Sequence, residues 1–194
     1  MAELSIYLKT PPEIEPISLA DAKLHCRVDD DITKDDSLIR SYIKAATDNA
    51  QAITRRQFIN GTYELRINAF PSVIKLPRPP LWDINSIKYF DPDDVEQTLD
   101  PAEYIVDAYS TIGQIVPSES WPGVGDMIPT ITIEYIAGYG DDRDSVPEDI
   151  KNAIKLIVGH LYEHRETVLV GVSGSVLPRG ADDLLAPHRI IGEI

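Results

Sequence analysis

Two stretches of helical periodicity enclose a long run from which that periodicity is absent, and this alternation sets the fold class. In the first, Leu38, Ile39, Tyr42, Ile43, Ala46, Ala50 and Ile53 recur at the spacing of one helix face. In the second, Ile150, Ala153, Ile154, Ile157, Val158, Leu161 and Tyr162 do the same, behind a Pro147 suited to a first helical turn. Helices are therefore predicted over 35–57 and 147–166. Asp35 and Asp36 favour the positive end of the first helix dipole, and Arg55 and Arg56 the negative end. A shorter helix is predicted over 18–26, where Ser18 and Asp21 stand at the capping-box spacing.

Between them the period changes to two: Tyr63, Leu65 and Ile67 alternate with Glu64, Arg66 and Asn68, as on a half-buried strand. Short β-branched or aromatic runs follow at 73–76, 84–90, 95–99, 104–107, 114–116 and 130–136, separated by Pro, Gly and Asp clusters, with a hairpin turn at 91–94. Because neither long helix can bury its apolar face alone, the expected fold is α+β: a helical bundle from the N- and C-terminal helices with an inserted antiparallel β unit. The segments are 1–60 (N-terminal helices), 61–140 (inserted β unit) and 141–194 (C-terminal helix and tail, packing with 1–60 as one helical domain). Thr167 to Gly180, with Gly171, Gly174 and Pro178, reads as a loop, and a short apolar segment from Leu184 to Ile191 closes the chain.

Charge narrows the partners. The chain of 194 residues carries 18 basic and 32 acidic side chains, a net charge of −14. Such a surface is repelled by phosphate over most of its area, which excludes broad nucleic-acid gripping. The β unit is the most acidic part, with 4 basic against 12 acidic residues, and Asp91 to Glu103 holds six carboxylates and no cation. The single Cys26 cannot form an internal disulfide, no secretory leader is visible and no apolar run is long enough to span a bilayer, so an intracellular origin without membrane partners is expected.

Chemical motifs are sparse. His160, Glu163 and His164 match H-x-x-E-H, in which two His on one helix face bind Zn²⁺ beside a carboxylate, and a zinc hydrolase is the remote alternative they suggest. The pattern lacks a third ligand from a separate element, and His164 falls within the apolar stripe of the third helix. Asp29 to Asp36 lacks the turn glycine and closing Glu of a calcium loop. Pro77-Arg78-Pro79-Pro80 reads as a stiff strand exit, and Cys26 as a buried or half-buried thiol. No cofactor, metal or catalytic residue is expected, and the chain reads as a non-enzyme.

Several segments, taken in order, resemble the head-to-tail connector (adaptor) proteins of long-tailed bacteriophages and prophages. They are Glu15 to Lys23, Asp36 to Ile39, Leu76 to Leu81, Ala137 to Gly140, Val146 to Lys151, Leu156 to Glu163 and Leu184 to Arg189. The resemblance implies a structural virion protein at the head-to-tail interface, made in the host cytoplasm and assembled as a homo-oligomeric ring, usually a dodecamer. Such a ring sits between the portal protein and a tail-side neck or tail-completion protein, and extends a channel through which DNA passes without specific binding. On this reading Arg40, Lys44, Arg55 and Arg56 are candidates for the subunit interface. Arg179, Leu184, Leu185, His188, Arg189, Ile190 and Ile191 are candidates for the portal contact, as a tether that orders on binding or a tail folded on its own helices. Asp91, Asp93, Asp94 and Glu96 are candidates for an acidic lumen or hairpin tip. Another neck or tail-completion role is the nearer alternative.

Overall fold

The computed structural model describes residues 5–126, 128–164 and 178–192. It is mixed α+β, with antiparallel sheets and four α-helices among the described residues. The chain divides into two compact units, one formed by residues up to 12, 60–141 and the end of the chain from 192, the other by 13–59 and 142–191.

The first is a sheet unit. Its strands are β1 (Ser5–Thr10), β2 (Gly61–Ile67), β3 (Ile74–Lys75), β4 (Leu81–Phe90), β5 (Glu96–Thr98), β6 (Tyr104–Asp107), β7 (Gln114–Pro117) and β8 (Ile131–Ala137). Five of them form an antiparallel sheet in the order β1-β2-β8-β4-β5, and the other three a sheet in the order β3-β7-β6. The period-two pattern explains the core. Ile131, Ile133, Tyr135 and Ala137 of the central strand β8 point inward with Leu65, Ile87, Ile74 and Ile115, so both sheets contribute to one apolar cluster. Two bulges in β4, between Leu81 and Asp83 and between Ile84 and Ser86, coincide with the exposed side chains of Trp82 and Asn85.

The second is a helical unit of α1 (Leu19–Cys26), α2 (Asp36–Thr54), α3 (Glu148–Glu163) and α4 (Arg179–Leu185). The expected capping box opens α1: the Asp21 N–H donates to Ser18 Oγ at 3.0 Å and the Ser18 N–H to Asp21 Oδ2 at 3.1 Å. Ile39, Ile43, Ala46 and Ala50 of α2 and Ile150, Ala153, Ile154, Ile157 and Val158 of α3 are the buried stripes read from the periodicity, and α3 packs against α1, α2 and α4. The acidic run after α1 is held from inside: the buried Lys23 ammonium lies 2.9 Å from Asp36 Oδ1 and donates to Asp30 O at 3.1 Å.

Several boundaries differ from the sequence reading. Residues 5–10 form β1 and join the sheet unit, although the segment 1–60 was assigned to helices. The second helix stops at Thr54 instead of 57, because Arg55 turns left-handed at φ 58°. The third ends at Glu163, with His164 already out of helical geometry, and residues 165 and 166 of its expected span lie outside the described residues, as does the loop expected from 167 through residue 177. Arg179 and Gly180, placed in that loop, begin α4.

Candidate functional site

The four interface cations are not equivalent. Arg40 and Lys44 lie exposed on α2, with Lys44 bonded to Asp48 one turn on, and Arg55 is exposed at the helix end. Arg56 instead donates from Nε to the His188 carbonyl at 2.7 Å, so it ties the helical unit together and does not project from it.

The tail is folded on its own helices. Leu185 and Ile190, offered above as docking residues, are buried, and the Ile190 N–H donates to Thr54 O at 3.1 Å. Arg189, just past the 3-10 turn Ala186–His188 that follows α4, pairs with Asp182 of α4. Leu184 and His188 are half-buried, whereas Arg179 is exposed and Ile191 is 94% exposed. Burial, with the Arg56 guanidinium beside it, holds the His188 ring below the usual imidazole value of 6.5, against the opposing pull of Asp149 at 3.9 Å. The neutral ring is therefore the folded form, and the unfolded chain binds the proton first as pH falls. His188 supports stability fully above 6.5, and the support is lost as pH drops towards the depressed folded value. The melting temperature is expected to fall between about pH 7 and about pH 5, and His188→Gln to flatten that limb; an unchanged slope in the variant would remove His188 from the account.

In the acidic hairpin the four carboxylates also divide. Asp91 organises the turn: Oδ1 accepts from the N–H groups of Asp93 and Val95, both at 3.0 Å, Oδ2 accepts from Gln97 Nε2 at 2.9 Å, and these bonds hold its carboxyl below the usual range. Glu96 pairs with Lys88 at 3.1 Å across the strands. Asp93 and Asp94 stand exposed at the tip.

The His pair does not sit as the helical wheel suggested. His164 is exposed, outside the apolar stripe, because the helix has ended there (φ −112°, ψ 75°). Its Nδ1 lies 3.2 Å from His160 O, and the two rings are 4.6 Å apart. Among the described residues no group of three or more His, Cys, Asp or Glu is placed to hold a metal ion. Cys26 is half-buried, and burial raises its thiol pKa, which disfavours the thiolate.

A polar network on the outer face of the larger sheet was not foreseen. Glu64 of β2 and Glu134 of β8 stand directly opposite each other. Burial pushes the Glu64 carboxyl up, but hydrogen bonds from Tyr7 and Arg66 and the charges of Arg66 and Lys9 outweigh it and hold the group below its usual value. Glu134 is held low by Lys9 and by Asn85, whose Nδ2 donates to it at 3.1 Å. Two carboxylates that would repel are thus each given a cation, and the Tyr7 and Lys9 side chains fasten β1 to the sheet. Equally unforeseen is an exposed apolar group on β6 and the turn after it: Ile105, Val106 and Tyr109. A strand read by alternation is assumed to bury one face, whereas on β6 Tyr104 is partly buried against the core while Ile105 and Val106 are both exposed.

Residues 16–79 match the model of the phage gp6-like head-tail connector protein family, so the resemblance read from the sequence is found there. Three solved structures share the fold along nearly the whole chain. One comes from the neck of an empty gene transfer agent (GTA) particle computed with C6 symmetry, at 19% identity, a TM-score of 0.82 and coverage of 98% of this chain and 97% of that one. Another, from the virion of a native GTA particle, has 19% identity, a TM-score of 0.81 and 97% coverage of both chains. The third, from the neck of a native GTA particle computed with C12 symmetry, has 19% identity, a TM-score of 0.71 and coverage of 99% and 97%. No curated protein matches. No described helix is long and apolar enough to cross a membrane.

Proposed function

We propose that this chain is a structural, non-enzymatic virion protein of the head-to-tail interface, which assembles as a ring of about twelve copies between the portal and the tail. The observation that carries the reading is the fold shared over 98% of the chain with a subunit of a GTA neck, joined to the connector-family match over 16–79. The N- and C-terminal helices act as one bundle in this reading, with 60–141 of the sheet unit running between them in the chain.

The charge suits a conduit. A lumen lined with carboxylates repels the phosphate backbone and lets DNA slide, where a cationic lining would hold it. With a net charge of −14 the chain has carboxylates to spare, and Asp93 and Asp94 are the tip residues left exposed to face a channel. Arg40, Lys44 and Arg55 remain the helical candidates for the subunit interface, being exposed where Arg56 is half-buried. The portal contact narrows to the exposed ends of the tail segment, Arg179 and Ile191. The tail-side face docks the next neck or tail-completion protein.

The test is the mass of the full-length protein across a concentration series, alone and mixed with a purified portal ring, with imaging of any large species. Rings of about a dozen copies, free or on the portal, are expected. A chain that stays monomeric and ignores the portal ring would overturn the reading, and a ring without portal affinity would move the protein further down the tail.

A further inference from the structure

One side of the sheet unit carries large apolar side chains left open to solvent. Trp82 is 54% exposed, Ile105 56% and Val106 38%, and Tyr109 is fully exposed. The fold brings them together. Leu81 packs so closely on Gly113, at the end of the turn between β6 and β7, that a Cβ on that glycine would lie 2.6 Å from Leu81 Cβ. The charge of Asp83 acts on Tyr104 at the start of β6. Both chain neighbours of Trp82 therefore meet the β6–β7 hairpin. Trp82 itself, the extra residue of the first β4 bulge, stands beside the strand and turn that carry Ile105, Val106 and Tyr109.

The patch is held in place. Tyr104 packs against the core, and Asp107 Oδ1 fixes the turn by accepting from the N–H groups of Tyr109 and Ser110 at 2.9 and 3.0 Å. Tryptophan and tyrosine are the side chains that most often anchor protein contacts, and anchors on a fixed surface lose little freedom on binding.

Carboxylates rim the patch: Asp83 next to Trp82, Asp100 and Glu103 ahead of β6, and Asp107 before Tyr109. They accept hydrogen bonds from the backbone N–H groups of Ile84, Ala102, Asp100, Tyr109 and Ser110, and Asp107 also from the Ser110 hydroxyl. None of the four pairs with a Lys or Arg among the described residues. The chain has no Lys or Arg at all between Lys88 and Arg143. An apolar patch ringed by carboxylates without cations is complementary to a segment whose apolar side chains are flanked by Lys or Arg.

A second copy offers no such segment among the described residues. Where an exposed large apolar side chain has a Lys or Arg next to it in the chain, at Leu8 and Leu24, that cation is already bonded, Lys9 to Glu134 and Lys23 to Asp36. The candidates for the portal contact, Arg179 and Ile191, belong to the helical unit, which leaves the patch on the sheet unit for the ring's other neighbour. We infer that the surface of Trp82, Ile105 and Tyr109 docks the tail-side protein, through a segment of that protein in which apolar side chains are flanked by Lys or Arg.

This inference rests on the ring reading, and its test separates the two. Full-length chain carrying p-benzoylphenylalanine at position 109 is assembled into particles and irradiated, and the linked peptide is sequenced by mass spectrometry. The link is expected to fall on the tail-side protein, in a segment whose apolar residues have Lys or Arg within a few positions. A synthetic peptide of that segment should bind the unmodified chain, about tenfold or more weaker to Tyr109→Ala and to Ile105→Asp, and about threefold or more weaker when salt rises from about 0.1 to about 1 M. Asp83→Asn combined with Glu103→Gln should remove most of that salt dependence, and Tyr109→Ala should leave the melting curve where it was. Links only to a second copy or to the portal would overturn the assignment, as would a linked segment without cations or equal binding by the variants. Particles whose rings form with nothing linked at position 109 would overturn the docking and leave the ring reading standing. A chain that forms no ring, free or on a portal, would take both down.

Discussion

Tyr135→Ala is expected to destabilise the sheet unit by about 3–5 kcal/mol, and Tyr135→Phe by about 1–2 kcal/mol. Tyr135 is fully buried in the central strand β8, between Tyr63 of β2 and Ile84 of β4 in the register. Its ring stacks against that of Tyr63 with 5.8 Å between centroids, and its hydroxyl donates to the carbonyl of the buried Pro77 at 2.7 Å. The alanine variant leaves a cavity the size of a ring between two sheets whose strands are hydrogen-bonded and cannot close over it. The phenylalanine variant keeps the packing and loses one bond, leaving Pro77 O without its partner. Burial holds the phenol far above its usual pKa, so the hydroxyl remains a donor throughout the working pH range. Urea denaturation of the two variants reads the difference. Equal losses would mean that the hydroxyl bond, and not the ring, carries the position.

The elements legible in the sequence are those whose signal is local. The stripes of α2 and α3 each repeat over several turns, Ser18 and Asp21 form a cap within four residues, and β6 and β8 are marked by runs such as Tyr104 to Val106 and Ile131 to Ile136. β1 was missed because it is defined by its partner. Tyr7 pairs with Glu64, far along the chain, and with most of β1 exposed no alternation is imposed on its side chains. α4 was missed because seven residues are too few to display a period, and Pro178 and Gly180 carry loop signals. The candidate sites suffered in the same way. Arg55 and Arg56 are adjacent and identical in sequence, yet Arg55 is exposed at the helix end while Arg56 is half-buried and reaches His188 O, which local pattern cannot reveal. The resemblance was readable because it depends on the order of several short motifs, each itself local.

The tail gives the second large effect. Leu185→Ala is expected to cost about 2–4 kcal/mol and Ile191→Asp less than about 0.5 kcal/mol. Leu185 is fully buried with Ala181, both on α4, which packs against α3, and the segment after the 3-10 turn Ala186–His188 is tied down by the bond from Ile190 N–H to Thr54 O. Ile191, one residue on, is 94% exposed. Removing the whole segment would therefore confuse docking with folding, since it would uncover the apolar surface that α4 occupies. Single substitutions separate the two. Loss of portal capture by Ile191→Asp with the melting curve unmoved would assign docking to the exposed end of the tail. Undiminished capture in Ile191→Asp, with Leu185→Ala destabilised as expected, would leave the tail a structural clasp of the helical unit and send the search for the portal contact to the face around Arg179.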